Sequence, residues 1–165
     1  GAIRGGDSDV DARRYEPHHE TIVRPDEVQI YESILGDSRE NPTTGLLTAT
    51  QYLKDNRLLP RGFDKKTASP DIAVVGEAAQ DDDFASGGDR VRYVVPVEGA
   101  GSGPYTVEVE LRYQTISYRW AENLSTYDAP EPRRFLSYFR SMSQASSVVV
   151  ASAASKGEGS PASAF

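Results

Sequence analysis

The sequence contains no cysteine, only two histidines and no long apolar run. Without cysteine, these residues cannot form disulfides, thiolate metal sites, a thiol nucleophile or a covalent attachment to haem. Two histidines cannot build a three-histidine zinc site. Because no stretch of about 18 apolar residues is present, no transmembrane segment is predicted. An excess of basic residues is also lacking: the net charge of -7 argues against nucleic acid or an anionic membrane as the main partner.

Motifs that mark common enzyme classes are missing as well. The chain has no G-x-S-x-G nucleophile elbow, no G-x-G-x-x-G dinucleotide loop and no phosphate-binding P-loop. Of its 165 residues, 38% are hydrophobic and 26% are charged, which is enough for one lean core. The sequence therefore predicts one domain that is not an enzyme.

The composition changes near both ends of the chain. Residues 1–20 are rich in glycine and aspartate and are predicted to form an extended arm. Residues 151–165 are mostly alanine, serine and glycine, which predicts a low-complexity tail. The folded domain is expected at 21–150. If the two tails are ordered, other chains are predicted to hold them.

The clearest strand pattern lies in the second half of the domain. In Tyr105–Ser117, apolar and polar residues alternate, as in a half-buried antiparallel strand. Arg90–Val97 repeats the alternation, and the glycine-rich Glu98–Pro104 lies between the two. The pattern predicts a hairpin with a long loop, in which Pro96 marks an edge, a bulge or a strand end.

Shorter segments complete the predicted fold. Val28–Leu35, Gly45–Leu53 and Asp71–Val75 are strand candidates, although the first two also fit a helix. An amphipathic helix is predicted from Pro132, because Phe135, Tyr138, Phe139 and Met142 recur at helical spacing. A last strand is expected at Val148–Val150. Together these elements predict a mainly β fold, an antiparallel β-sandwich or jelly-roll-like domain with one C-terminal amphipathic helix.

Two groups of residues are candidate metal ligands. His18 and His19 are adjacent, so their side chains point apart on most backbones. They form either an exposed pair or a ligand for a cofactor held by another domain. A metalloenzyme that uses both histidines is less favoured. The second group is the acidic loop, with calcium-ligand candidates Asp81, Asp82, Asp83 and Asp89, for which a solvated turn is the other interpretation.

Two further pairs are candidate partner contacts. Arg57 and Arg61 either form ion pairs that lock an irregular segment or present their guanidinium groups to a partner's carboxylate. Tyr118 and Trp120 follow a predicted strand end. There they stack on a sugar ring or anchor a partner, unless Trp120 packs under the helix.

Four segments carry a resemblance to a known group of proteins. Val28–Asp37, Tyr52–Asp64, Gly88–Tyr93 and Tyr113–Trp120 resemble the cysteine-free C-terminal region of bacterial exported multihaem cytochrome c-like proteins. The most specific piece is the LKDNRLLPRGF run within the second segment. The resemblance covers roughly residues 15–150.

The resemblance implies an extracytoplasmic role, in the bacterial periplasm or at the cell surface. In such proteins the haems lie upstream on Cys-x-x-Cys-His motifs, which this chain lacks. It would therefore dock on a multihaem c-type cytochrome domain or subunit as a structural part of an electron-transfer assembly. His18 or His19 would be a candidate haem ligand across that interface. The predicted function is a non-catalytic interaction module, and the alternative is a calcium-dependent carbohydrate-binding module.

Overall fold

The computed structural model describes residues 15–97, 103–142 and 145–157. Within these residues the elements are β1 (Thr21–Ile22), β2 (Ser33–Gly36), β3 (Gln51–Asp55), β4 (Arg92–Tyr93), β5 (Tyr105–Gln114), α1 (Tyr118–Leu124), α2 (Pro130–Met142) and β6 (Ser147–Gly157). The strands form three two-stranded sheets in this part of the chain: parallel β1–β4, antiparallel β2–β3 and antiparallel β5–β6. The described fold is thus a small mixed α/β arrangement. Neither α1 nor α2 is long and apolar enough to cross a lipid bilayer.

The predicted β-sandwich is wrong. A sandwich requires two multi-stranded sheets stacked about 10 Å apart, and no sheet in the described residues has more than two strands. The alternation in β5 does not mark a covered face, because Val107 and Val109 are 57% and 49% exposed. An alternating pattern shows that one face of a strand is apolar, but it does not show what lies against that face.

The predicted hairpin between Arg90–Val97 and Tyr105–Ser117 is also wrong. In the first segment only Arg92–Tyr93 is strand, and it pairs in parallel with β1. The antiparallel partner of β5 is β6, with ten matched residue pairs from Tyr105↔Gly157 to Gln114↔Ser147. Pro96 lacks the N–H that a ladder needs, which limits pairing in the first segment. Residues 98–102 of the predicted loop lie outside the described residues.

The shorter predicted strands are only partly strand. Val28–Leu35 contributes just its end to β2, and Gly45–Leu53 contributes its last residues to β3. Asp71–Val75 is not a strand. It overlaps a 3₁₀ turn at Pro70–Ile72, and Val75 makes an isolated bridge to Asp55. The run of four apolar residues from Ile72 to Val75 begins within this turn, which leaves little extended chain for pairing.

The C-terminal helix and last strand are confirmed, and one helix was not predicted. α2 spans Pro130–Met142, so it contains the four residues whose spacing predicted it and begins two residues before the predicted start at Pro132. β6 includes Val148–Val150 but continues to Gly157, through residues that the sequence placed in the tail. The unpredicted helix is α1, whose N-terminus is capped by the Ser117 hydroxyl accepting from the backbone N–H of Trp120.

The core combines few apolar side chains with many polar ones. Its buried hydrophobic members are Ile22, Ile34, Ala78, Phe84, Ala121 and Leu136. Asn123 connects α1 to the loop after β2, since its Nδ2 donates to Thr44 Oγ1 at 2.8 Å. Next to Phe84 lie several buried polar residues, which form the candidate site described below.

The β5–β6 pair is a long ribbon with one apolar face. On β5 this face carries Val107, Val109, Leu111 and Tyr113, and on β6 it carries Val148, Ala151 and Ala153. We call these residues the ribbon face. A bulge at Val150 keeps the two strands in this register. Most of the large side chains on this face are about half exposed to solvent.

An apolar groove of about 210 Å³ adjoins the base of the ribbon. Its lining comes from the residues after β5 and from one side of α2: Thr115, Ile116, Phe135, Tyr138, Phe139, Met142 and Ser146. We call it the base groove. Four of these residues are the ones whose helical spacing predicted α2, so that apolar side borders an open groove. Tyr138 and Met142 are 64% and 58% exposed.

Candidate functional site

His18 lies at the centre of a buried network of polar side chains. Its Nε2 is 3.0 Å from Asp81 Oδ2. Its Nδ1 is 3.0 Å from Asn56 Nδ2 and 2.9 Å from Gln29 Nε2. We call His18, Gln29, Asn56, Asp81 and Asp89 the His18 cluster. The cluster joins the segment before β1, the residue after β3 and the loop before β4.

The backbone around each amide fixes its orientation. Asn56 is fully buried directly after β3; its Oδ1 accepts the Glu32 backbone N–H at 2.9 Å. Its Nδ2 therefore faces His18 and also donates to the Ile30 carbonyl at 2.9 Å. Gln29 is oriented in the same way, because its Oε1 accepts the His19 backbone N–H at 2.8 Å.

These two amides determine which ring nitrogen of His18 carries the proton. Both donate to Nδ1, which must therefore accept, so the proton lies on Nε2 and is donated to Asp81. Burial raises the pKa of Asp81, but hydrogen bonds from the His18 ring and from the Asp83 and Phe84 backbone outweigh it and lower the pKa below 3.8. The His18–Asp81 pair is thus a directed hydrogen bond to a carboxylate.

Aromatic rings form one wall of the cluster. Phe84 is fully buried and meets the His18 ring edge-on, with centroids 5.0 Å apart. Tyr31 stacks on Phe84 with ring centroids 6.5 Å apart, lies at the same distance from the His18 ring, and donates its hydroxyl proton to Asp89 Oδ2 at 2.6 Å. Burial and this hydrogen bond raise the pKa of Tyr31 above 10.0. The wall excludes water and fixes the ring plane of His18.

A buried lysine holds the neighbouring segments together. Lys54 is 2% exposed, and its Nζ donates to the Glu16 carbonyl at 2.7 Å, the Ile30 carbonyl at 3.0 Å and Glu32 Oε1 at 3.3 Å. Burial lowers the pKa of Lys54, while the nearby Glu32 carboxylate opposes that effect. With three acceptors, the ammonium group has no donor left unsatisfied.

A glycine turn brings a glutamate to the His18 backbone. Glu77 Oε2 accepts the His18 backbone N–H at 3.0 Å. Glu77 begins a 3₁₀ turn directly after Gly76, whose φ of 88° is readily adopted only by glycine. Residues 15–20, which the sequence assigned to an extended arm, are therefore packed into the domain at His18. Residues 1–14 of that arm lie outside the described residues.

Three members of the cluster are grouped closely enough to hold a metal ion. His18 Nε2 and one carboxylate oxygen each from Asp81 and Asp89 lie within 4.8 Å of one another. Zinc binds imidazole and carboxylate ligands of this kind, whereas calcium takes six to eight oxygens. The residue types therefore permit a metal site, and the surrounding hydrogen bonds decide whether it fits.

The surroundings of His18 do not fit a metal-bound imidazole. An ion on Nε2 would displace the proton, and the neutral ring would then carry it on Nδ1. That Nδ1 proton would face the side-chain N–H groups of Asn56 and Gln29. Rotating either amide to present its oxygen instead would break the hydrogen bond that the oxygen accepts from the backbone, from Glu32 for Asn56 and from His19 for Gln29. A buried donor without an acceptor costs about 1–3 kcal/mol. Metal-bound histidines usually donate the second ring N–H to a carboxylate or carbonyl. The geometry fits a structural hydrogen-bond centre better.

The other ligand candidates lie around this centre. His19 Nε2 is 2.8 Å from Glu16 Oε2, so the two histidines indeed point to different partners. Asp82 and Asp83 are exposed, and Asp83 Oδ1 accepts the Arg90 backbone N–H. The side chain of His18 is 1% exposed with both nitrogens hydrogen-bonded, which leaves no lone pair for a haem iron outside the domain.

The four predicted partner contacts differ in how exposed they are and in whether they already bind another residue of the chain. Arg57 pairs with Asp55 through two hydrogen bonds, Nε–Oδ1 at 2.9 Å and Nη2–Oδ2 at 2.6 Å. This side of its guanidinium group is therefore already bound to a carboxylate within the chain. Arg61 is exposed, and its side-chain stem lies close to Gly87. Tyr118 begins α1 and is partly buried, whereas Trp120 is 40% exposed on the same helix.

Sequence reasoning missed the two amides that orient His18 and the lysine that holds the neighbouring segments together. Gln29, Asn56 and Lys54 were not proposed, although Asn56 and Lys54 belong to the most specific run of the resemblance. Consecutive polar residues such as Lys54, Asp55 and Asn56 normally indicate exposed chain. Asn56 is buried against the distant His18, and Lys54 against the Glu16 and Ile30 carbonyls, so no local pattern could reveal their burial.

Comparisons with known proteins give no relative. No protein-family model matches the chain, and no curated protein or solved structure is similar to it at a significant level. Nothing in these comparisons links the chain to multihaem cytochromes. The resemblance in sequence stays a prediction.

Proposed function

We propose that this chain is a non-catalytic interaction module that is held against a multihaem c-type cytochrome in the bacterial periplasm or at the cell surface. The observation that carries the proposal is the uncovered ribbon face. In a soluble domain, apolar side chains that stay exposed together over ten residues of strand mark a surface that another protein covers.

The ribbon itself supports a docking role. An isolated two-stranded ribbon is marginally stable in water, because too little apolar surface is buried between its strands. Val109 and Leu111, for example, are 49% and 37% exposed although they lie in the middle of β5. A partner that covers the ribbon face would bury them, at about 25 cal/mol for each Å² of apolar area removed from water.

The base groove extends the same surface. Its open side is formed by Ile116, Tyr138 and Met142, all more than one third exposed. A groove of this size suits one large apolar side chain of a partner, which would act as an anchor. The choice of a cytochrome as the partner rests on the sequence resemblance, and Arg61 is an exposed cation that suits a haem propionate.

The His18 cluster supports a non-catalytic role. The side chains of His18, Asp81 and Asp89 are at most 5% exposed, so a substrate has no access to them. Each of them is also engaged in hydrogen bonds that hold separate segments together. The cluster stabilises the domain that presents the ribbon. The alternative of a calcium-dependent carbohydrate-binding module gains no support from this geometry.

Capture of a cytochrome by the immobilised chain tests the proposal. The 165-residue chain is exposed to the periplasmic fraction of its own bacterium, and retained proteins are stained for covalently bound haem. The retained cytochrome is then purified and titrated. Val109→Lys places a charge on the ribbon face and should weaken binding at least tenfold, which corresponds to about 1.4 kcal/mol.

Glu108→Lys is the matched control, because it introduces the same side chain one residue away, on the opposite face of β5. It should bind like the native chain. Retention of only haem-free proteins contradicts the cytochrome assignment. Equal affinity of the two lysine variants contradicts docking through the ribbon face.

A further inference from the structure

The ribbon has a second unpartnered feature, the outer edge of β6. Along one edge β6 pairs with β5, and the described residues contain no strand that pairs with its other edge. An open edge presents a row of backbone N–H and C=O groups that can bind another strand. β6 is eleven residues long, which is ample length for such pairing.

The two outer edges of the ribbon differ in charge. β5 carries Glu108, Glu110 and Arg112, the kind of residues that protect an edge from pairing. β6 carries no charge from Ser147 to Ser155, no proline, and only small side chains from Ala151 to Ser155. The β6 edge is therefore the one that is open to a further strand.

We propose that this edge pairs with the same edge of a second copy of the chain, antiparallel about a twofold axis at Ala154. An antiparallel pairing of identical strands is self-complementary, which is what a twofold dimer requires. The axis at Ala154 uses the regular part of β6 beyond the bulge at Val150. Two ribbons then join into one four-stranded sheet.

Charge complementarity supports the second copy as the occupant. With the axis at Ala154, Lys156 of the second copy lies opposite Ser152. Ser152 is itself the cross-strand partner of Glu110, whose Oε2 already pairs with Arg112 of its own strand. The long lysine side chain can reach the other oxygen of that carboxylate over the small serine. By symmetry the contact occurs twice. The same pairing places Ala154 opposite Ala154 of the second copy. In each copy Glu108 lies on β5, on the far side of Ala154 from the dimer axis.

The dimer also explains how the ribbon gains support. Three or more strands with an apolar face are stable where two are marginal. In this register Val107 and Val109 of the two copies flank Ala153 and Ser155, so the ribbon faces form one surface. The pairing uses the edge of β6 and leaves that surface open, so it does not depend on the proposed cytochrome docking.

A single introduced cysteine tests the pairing, because the chain has none of its own. Ala154→Cys should form a disulfide-linked dimer under mild oxidation, since a residue on the axis lies within the 4.4–6.8 Å Cα separation that a disulfide needs. Glu108→Cys is the matched control. It pairs with Ala154 within one chain, but its two copies would lie about 14 Å apart, three strand spacings.

Light scattering on the native chain should give twice the chain mass of 18.0 kDa. Lys156→Glu should lower the dimer fraction at least tenfold at equal concentration. If Ala154→Cys fails to fold by circular dichroism, the double variant Ser152→Cys, Lys156→Cys tests the same register. A native monomer overturns the proposal, and so does cross-linking of Glu108→Cys at the rate of Ala154→Cys.

Discussion

Replacing Asn56 with alanine tests whether the His18 cluster holds the fold together. The Asn56 side chain is fully buried and takes part in three hydrogen bonds, with Glu32, Ile30 and His18. Each bond contributes about 1 kcal/mol net. After the substitution, the Ile30 carbonyl still accepts from Lys54, and His18 Nδ1 still accepts from Gln29. The loss of stability therefore stays close to the summed contribution of the three hydrogen bonds. We expect the free energy of unfolding to fall by about 3 kcal/mol.

Guanidinium unfolding followed by far-ultraviolet circular dichroism measures this loss. The midpoint should move to lower denaturant while the slope of the transition stays unchanged. Gln51→Ala is the control, because among the described residues this exposed amide donates only to the Asp37 carbonyl, at 3.0 Å. It should cost less than about 0.5 kcal/mol. A loss below about 1 kcal/mol for Asn56→Ala would refute the structural role of the cluster.

Three further predictions concern the same centre. Phe84→Ala should lower the free energy of unfolding by about 3–5 kcal/mol, because the ring is fully buried, and denaturation curves measure it. Asp81→Asn should destabilise the chain at neutral pH. Because the folded pKa of Asp81 is lowered, its carboxylate stabilises the fold fully above pH 3.8, and this advantage over the variant should vanish as pH falls through the folded pKa. Melting curves from pH 7 to pH 2 would show a constant difference if that reasoning fails. Millimolar calcium or zinc should leave the melting temperature within about 1 °C of that in chelator, whereas a resident ion would raise it.

Local patterns correctly predicted elements that depend on neighbouring residues. The helical spacing from Phe135 to Met142 and the proline at its start define α2, and Val148–Val150 lies in β6. These signals act within one or two turns of chain, so sequence alone reveals them. The pairing partner of β5 was predicted wrongly, because a period-two pattern identifies a strand without specifying which other strand completes its ladder.

In the candidate site, too, the sequence predicted some residues, while contacts between distant segments decided the rest. His18 was proposed as a ligand in one group and Asp81 and Asp89 in another, and the structure brings the two groups together. Their chemistry was decided by Gln29 and Asn56, which the sequence did not single out. An amide's orientation depends on which backbone groups surround it, and those groups come from segments far apart in the chain.

By itself, the sequence determined what these 165 residues cannot carry, such as disulfides and covalently attached haem, and which short segments favour helix or strand. Only the tertiary structure decided that β5 pairs with β6, that the large side chains of the ribbon face are about half exposed and that Nδ1 of His18 accepts its hydrogen bonds. The reason is physical: composition and periodicity act over a few residues, whereas burial and hydrogen-bond direction depend on contacts between residues as far apart as His18 and Asp81.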